Sequence, residues 1–138
     1  MSDKEKRSIK AFRNFSKALH NLERTMALPS DNEDYRNSAI LSFVIAYEQF
    51  WKTLKWILKE YIALDINGPK PILQAAYAQG WLGNKDKLWL NMANDRNLVA
   101  HTYDEERARE IYEHVKQYAV SMRDCHKKLS ELYPDLQP

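Results

Sequence analysis

The stretch ILSFVIAYEQFWKTLKWILKEY, residues 40–61, decides the fold class. Ile40, Val44, Tyr47, Trp51, Leu54, Leu58 and Tyr61 alternate spacings of four and three. Phe43, Phe50 and Ile57 form a second row seven apart. That pattern is a broad apolar face wound on a helix. Followed outward, the same helix spans Asn32 to Leu64, roughly 48 Å at 1.5 Å per residue. A compact chain of this size has a radius of gyration of only about 14 Å. The helix must therefore kink, overhang or pack against a second subunit, and the last of these is expected.

Both flanks continue in helices. On the N-terminal side Ile9, Phe12, Phe15, Leu19, Leu22 and Met26 mark a stripe on a helix from Lys4 to Leu28, which Pro29 ends. Ser30 with Glu33 has the spacing of a capping box for the long helix. On the C-terminal side Asn67-Gly68-Pro69-Lys70-Pro71 breaks the chain. A short helix from Ile72 to Gln79 follows, then a turn at Gly83-Asn84. A fourth helix spans Lys85 to Val99. The last spans Glu105 to Tyr133, with the stripe Ile111, Val115, Tyr118, Met122, Cys125, Leu129 and Leu132. The expected fold is all-α, an up-and-down bundle of four main helices and one short one, forming a single domain over 1–138.

Composition narrows the function classes. The chain has 138 residues, 44% of them hydrophobic, which fits a globular protein and argues against disorder. Size scaling leaves roughly 7,500 Å² exposed of roughly 24,000 Å², so a core forms without staples. Twenty-one basic and 19 acidic residues give +2. That balance does not suit a protein that wraps DNA, so any nucleic-acid contact must be local. Three glycines are too few for hairpins and phosphate loops. The lone Cys125 excludes an internal disulfide and a multi-cysteine metal site. No apolar run approaches the roughly 20 residues of a membrane span, and MSDKEKRSIK is not a signal peptide, so the expected compartment is the cytoplasm.

The chemistry concentrates where periodicity breaks. Trp89, Met92, Arg96 and Val99 keep the spacing of a buried stripe, which puts Arg96 on an apolar face. Such an arginine is paired with an acid, for which Glu48 and Asp95 are candidates, or snorkels past the helix end, or lines a cavity or interface. Asn97 and His101 are four apart and share a face if the helix persists. Thr102 with Glu105, or Asp104 alone, would cap the next helix. His101 then precedes a helix N-terminus, a position that suits a phosphate and favours a neutral imidazole. Arg96, Asn97, His101 and Tyr103 thus gather a cation, a polar orienter, a base and a phenol within eight residues.

Arg96-Asn97-Leu98-Val99-Ala100-His101 resembles the R-x4-H motif of the HEPN superfamily. With Tyr103 it becomes R-x4-H-x-Y, the form of HEPN toxins paired with minimal nucleotidyltransferases. FVIAYEQFWKTLKWILKE, residues 43–60, looks like the second helix of the nucleotidyltransferase substrate-binding family. ILQAAYAQGWLGNKDKLWLNMANDRNLVAHTYDEERAREIYEHV, residues 72–115, resembles its central and C-terminal part. One departure is Phe43-Val44-Ile45, where many relatives carry an acid. The resemblance implies a metal-independent ribonuclease without cofactors. His101 would take the proton of a ribose 2′-hydroxyl, Arg96 would hold the phosphate, and Asn97 would orient. It implies a homodimer, an RNA substrate or nucleotide, no membrane, and a nucleotidyltransferase antitoxin that adenylylates Tyr103. Two other readings fit the same residues: a non-catalytic substrate- or nucleotide-binding subunit for that partner, and a helical scaffold with an accidental motif.

The remaining candidates have plainer expectations. His20, His114 and His126 lack metal-ligand spacing and read as surface or cap residues. Cys125 reads as a buried small hydrophobe. Lys52, Lys55 and Lys59 make a basic row that is either a solvated face or a contact for RNA or the partner. Trp56 falls off the main stripe and is the best candidate for an exposed ring. Glu48 and Lys52 have the spacing of a helix ion pair.

Overall fold

The computed structural model describes residues 5–84, 86–101 and 104–138, with side chains except those of Asp86, Ala100 and His101. Five helices run in order: α1 Arg7–Met26, α2 Glu33–Ile62, α3 Pro69–Ala78, α4 Asp86–His101 and α5 Glu105–Leu132. No strand occurs among the described residues.

The apolar stripes meet as the spacing predicts. Phe12, Phe15, Leu19 and Leu22 of α1 are fully buried, as are Phe43, Leu54 and Ile57 of α2 and Val115, Met122 and Leu129 of α5. Cross-links give the directions. Thr53 Oγ1 donates to the Ala11 carbonyl at 3.0 Å, and Asn21 Nδ2 donates to Ser42 Oγ at 3.2 Å, so α1 and α2 are antiparallel. Phe43 stacks on Tyr118 and Tyr61 packs on Tyr133, so α2 and α5 run the same way. The order is the expected up-and-down bundle.

Helix ends depart from expectation for physical reasons. The N-cap of α2 is Asn32, whose side chain accepts from Tyr35 N–H at 3.1 Å, rather than Ser30. That register places Glu33 and Asp34 in the first turn, where the helix dipole favours them. Ser30 instead offers its carbonyl to Arg36 Nη1 at 2.8 Å. α3 begins at Pro69, ahead of the expected Ile72, because proline is well suited to a first helical turn. Gly68 before it has φ +95°, a conformation open to glycine. At the start of α5, Asp104 is the cap and accepts from Glu106 N–H at 3.0 Å. The Thr102 alternative lies outside the described residues. α1 has no side-chain cap of its own. Its Arg7 and Ser8 N–H groups donate to the Glu60 carboxylate at 3.2 and 3.0 Å, from the far end of α2.

The long second helix runs 30 residues without a break. Its N-terminal half leaves Leu41 62% and Ile45 47% exposed. No described helix is long and apolar enough to cross a membrane.

Candidate active site

α4 supplies the site. It persists through His101, two residues beyond the expected end at Val99. Asn97 and His101 therefore stand one turn apart on one side of a continuous helix. Tyr103 lies outside the described residues, and only the backbone of His101 is described.

Arg96 is half-buried rather than inward. Its Nε lies 3.4 Å from Glu48 Oε1, and its side chain stays 27% exposed. Glu48 Oε2 in turn accepts from Trp51 Nε1 at 3.3 Å. Of the two acids that the sequence offers, Glu48 is the one paired. It does not form the expected helix pair with Lys52, because turning toward α4 brings it a more deeply placed cation. The contact leaves the guanidinium unsaturated, since Nε makes no hydrogen bond of good geometry.

Around this pair the structure opens a cleft of about 450 Å³. Tyr47, Glu48, Lys70, Ala93, Arg96 and Asn97 line it. Two cations, one carboxylate already paired with Arg96 and an exposed amide thus face one space, whose net positive charge suits an anion with hydrogen-bonding neighbours. Burial, with the Glu48 carboxylate behind it, pushes the Tyr47 hydroxyl up to about 12. Tyr47 is therefore a neutral donor and not a base. Lys70 had no signal in the sequence beyond its place in the breaker cluster; the Pro69 start of α3 brings it to the cleft.

The buried charge on α4 is Asp95, 8% exposed. Its Oδ2 accepts from Tyr118 hydroxyl at 2.5 Å and lies 2.8 Å from His114 Nδ1. Burial, then the bond to Asp95, raises the Tyr118 hydroxyl far above its ordinary range. His114 lies on the surface as expected, its side chain 53% exposed, and there partners the Asp95 carboxylate. His114 and Tyr118 stand four apart on α5, a spacing that could have flagged a shared partner.

His126 departs from the surface expectation. It is 6% exposed and stacks on Phe12 at 4.4 Å between ring centres. Ser16 gives its one hydroxyl hydrogen to the Phe12 carbonyl at 2.9 Å, so His126 Nε2, 2.7 Å away, donates to Ser16. Burial and the Arg123 cation push the ring down to about 4. Cys125 is buried as expected, and burial raises its thiol to about 12, so it is no nucleophile. Among the described residues no cluster of three or more His, Cys, Asp or Glu could hold a metal.

The family model for nucleotidyltransferase substrate binding protein like chains matches residues 10–131. The chain belongs to this HEPN-type family. Its match takes in the helices that build the cleft and the Arg96–His101 stretch. The chain is 29% identical to the "Probable ribonuclease HepT" of Haemophilus influenzae, over 75% of this chain and 80% of that protein. A crystal structure of a Thermus thermophilus protein superposes with a TM-score of 0.78 at 34% identity. That match covers 83% of this chain and 98% of the other. The family expected from R-x4-H and its flanking helices is the family found.

Proposed function

We propose that the protein is a metal-independent endoribonuclease of a toxin–antitoxin pair. The observation that carries this reading is Arg96, tethered to Glu48 yet open to a cleft that also presents Asn97 and Lys70. A guanidinium so placed can bind a phosphodiester and stabilise the charge gained as phosphorus becomes five-coordinate. His101 takes the proton of the ribose 2′-hydroxyl. The 2′-oxygen bonds to phosphorus, the bond to the 5′-oxygen breaks, and that oxygen leaves with a proton taken from water. The products are a 2′,3′-cyclic phosphate and a 5′-hydroxyl. Asn97, one turn before His101, orients the hydroxyl or the imidazole. An imidazole suits this work near neutral pH.

The likeness to a probable ribonuclease and the family's link to nucleotidyltransferases support the partner side of the reading. A cognate minimal nucleotidyltransferase transfers AMP to Tyr103, and the added negative charge competes for the phosphate position beside Arg96. The working unit is a homodimer in the cytoplasm. Exposed Leu41 and Ile45, on the same face of α2 as Glu48, support that assembly.

Cleavage by purified protein in EDTA tests the reading. Cyclic phosphate ends that vanish in folded His101→Ala and Arg96→Ala variants are expected. The family's substrate-binding description favours a second reading, a nucleotide-binding subunit of the transferase. An unmodified dimer that binds nucleotide in the cleft and cleaves no RNA would establish it instead. Exposure to the transferase and ATP should add one AMP to the intact mass, and Tyr103→Phe should abolish the addition.

A further inference from the structure

Away from the cleft, the start of α1 and the second half of α2 build a basic surface around one indole. Arg7 Cζ lies 4.7 Å from the centre of the Trp56 ring, with Lys55 Nζ at 5.2 Å and Lys59 Nζ at 5.4 Å. Arg7, Lys10, Lys52 and Trp56, with the amides of Asn14 and Gln49, line a groove of about 350 Å³ between the helices.

Charge is concentrated here. The five cations Arg7, Lys10, Lys52, Lys55 and Lys59 stand against Glu60 and Asp65, a net +3 where the whole chain carries +2. Glu60 is already committed to the N–H groups of Arg7 and Ser8. Among the described residues Asp65 reaches only Lys59, at 3.9 Å. Among the described residues Lys10, Lys52 and Lys55 have no carboxylate partner. The Trp56 ring and these two carboxylates offset the repulsion of the row only in part, so the surface is suited to an anion outside the chain.

The geometry favours a strand over a small ion or an acidic protein surface. Lys52 stands one turn beyond Glu48 on the same face of α2, so the basic row begins where the cleft ends. Lys59 lies about 17 Å from Glu48 along the helix axis. A row of cations beside a flat guanidinium–indole stack is what a sugar–phosphate backbone with unstacked bases requires. We propose that Arg7, Lys10, Lys52, Lys55, Trp56 and Lys59 form a second, non-catalytic binding site for single-stranded RNA. It holds the strand a few nucleotides from the phosphate at Arg96. The inference rests on the ribonuclease reading for the strand's path, not for the surface's affinity.

The test uses the full chain in a His101→Ala background, so that RNA survives the binding assay. Fluorescence anisotropy with a labelled 12-nucleotide RNA is measured over a salt series. Lys52→Gln/Lys55→Gln/Lys59→Gln is compared with Lys17→Gln/Lys116→Gln/Lys127→Gln, which removes equal charge from exposed positions elsewhere. Loss of three phosphate contacts should weaken binding at least about tenfold at low salt and flatten the logarithmic salt slope by about 2. The control should leave the slope unchanged. With His101 intact, the control variant should cleave the 12-nucleotide RNA at the wild-type rate, while Lys52→Gln/Lys55→Gln/Lys59→Gln should cleave it with a raised KM. Equal affinity and slope in both triple variants would overturn the proposal while leaving cleavage as a separate result. Weakened binding with no cleavage by the unmodified wild type would keep the surface and remove the ribonuclease reading. Loss of nucleotidyltransferase capture with RNA affinity unchanged would overturn the proposal in favour of protein docking.

Discussion

Arg96 gains its usefulness from an imperfect partner. Glu48 holds the guanidinium near 3.4 Å, and both side chains line the open cleft. Replacing Glu48 by Gln keeps the shape and removes the tether's charge. Initial rates should fall about tenfold, against at least about 10²-fold for Arg96→Ala, which removes the charge-stabilising donor itself. Thermal melts of both variants would show that the fold survives. His126 is the residue whose protonation matters for stability. In the unfolded chain it binds a proton below about 6.5, while the folded ring stays neutral until about 4. The unfolded state therefore holds more protons in that window, and stability falls as pH drops through it. The loss should approach about 2 kcal/mol in urea melts between pH 7.5 and 4.5. His126→Phe, which keeps the stack on Phe12, should remove that part of the slope. Neither residue's situation was legible in full. Helical spacing placed Arg96 on the correct arc of α4, but periodicity gives direction and not depth. His126 looked ordinary because what buries it, Phe12 and Ser16, lies over 100 positions away in sequence.

At the scale of elements, α1, α2 and α5 were readable because each carries a long apolar stripe, and long stripes constrain phase. α4 was harder. It packs against α3 and α5 and reaches α2 through Arg96, so its polar residues divide between neighbours. Glu48 takes Arg96, and Tyr118 with His114 takes Asp95. Asp95 thereby pins the helix that carries the motif. Asp95→Ala would leave the buried Tyr118 hydroxyl without its acceptor, at a cost of about 1–3 kcal/mol in urea unfolding. Tyr118→Phe in the same background should recover part of that loss, since the stranded hydroxyl is then gone. The cap of α2 was misplaced at Ser30 by the capping-box spacing with Glu33. Ser30, Asn32 and Asp31 all have suitable side chains, and the choice of Asn32 depends on where α2 must begin to bury Ala39 and Ile40.

For the whole molecule, the length of α2 and its exposed Leu41 and Ile45 bear on assembly. If these side chains meet a second copy, Leu41→Asp/Ile45→Asp gives a monomer by light scattering with an unchanged circular dichroism spectrum. Cleavage falls with dimerisation if the site is completed by two chains. Ideal helical geometry separates Arg96 and His101 by roughly 140° around the axis of α4, a separation that two facing copies can bridge. A variant that becomes monomeric yet cleaves at the wild-type rate would show that one chain suffices.

The cap that α1 borrows from Glu60 has a consequence for how the chain is made. While the ribosome is still synthesising α2, the first turn of α1 has no acceptor for its free amides, and a lone helix of its length is marginal in water. Its N-terminus becomes secured only once residue 60 has left the exit tunnel and α2 has folded back antiparallel. The two helices are thus sealed together in one late event, and hydrogen exchange at Ser8 should report the opening of the α1–α2 pair rather than fraying of α1 alone.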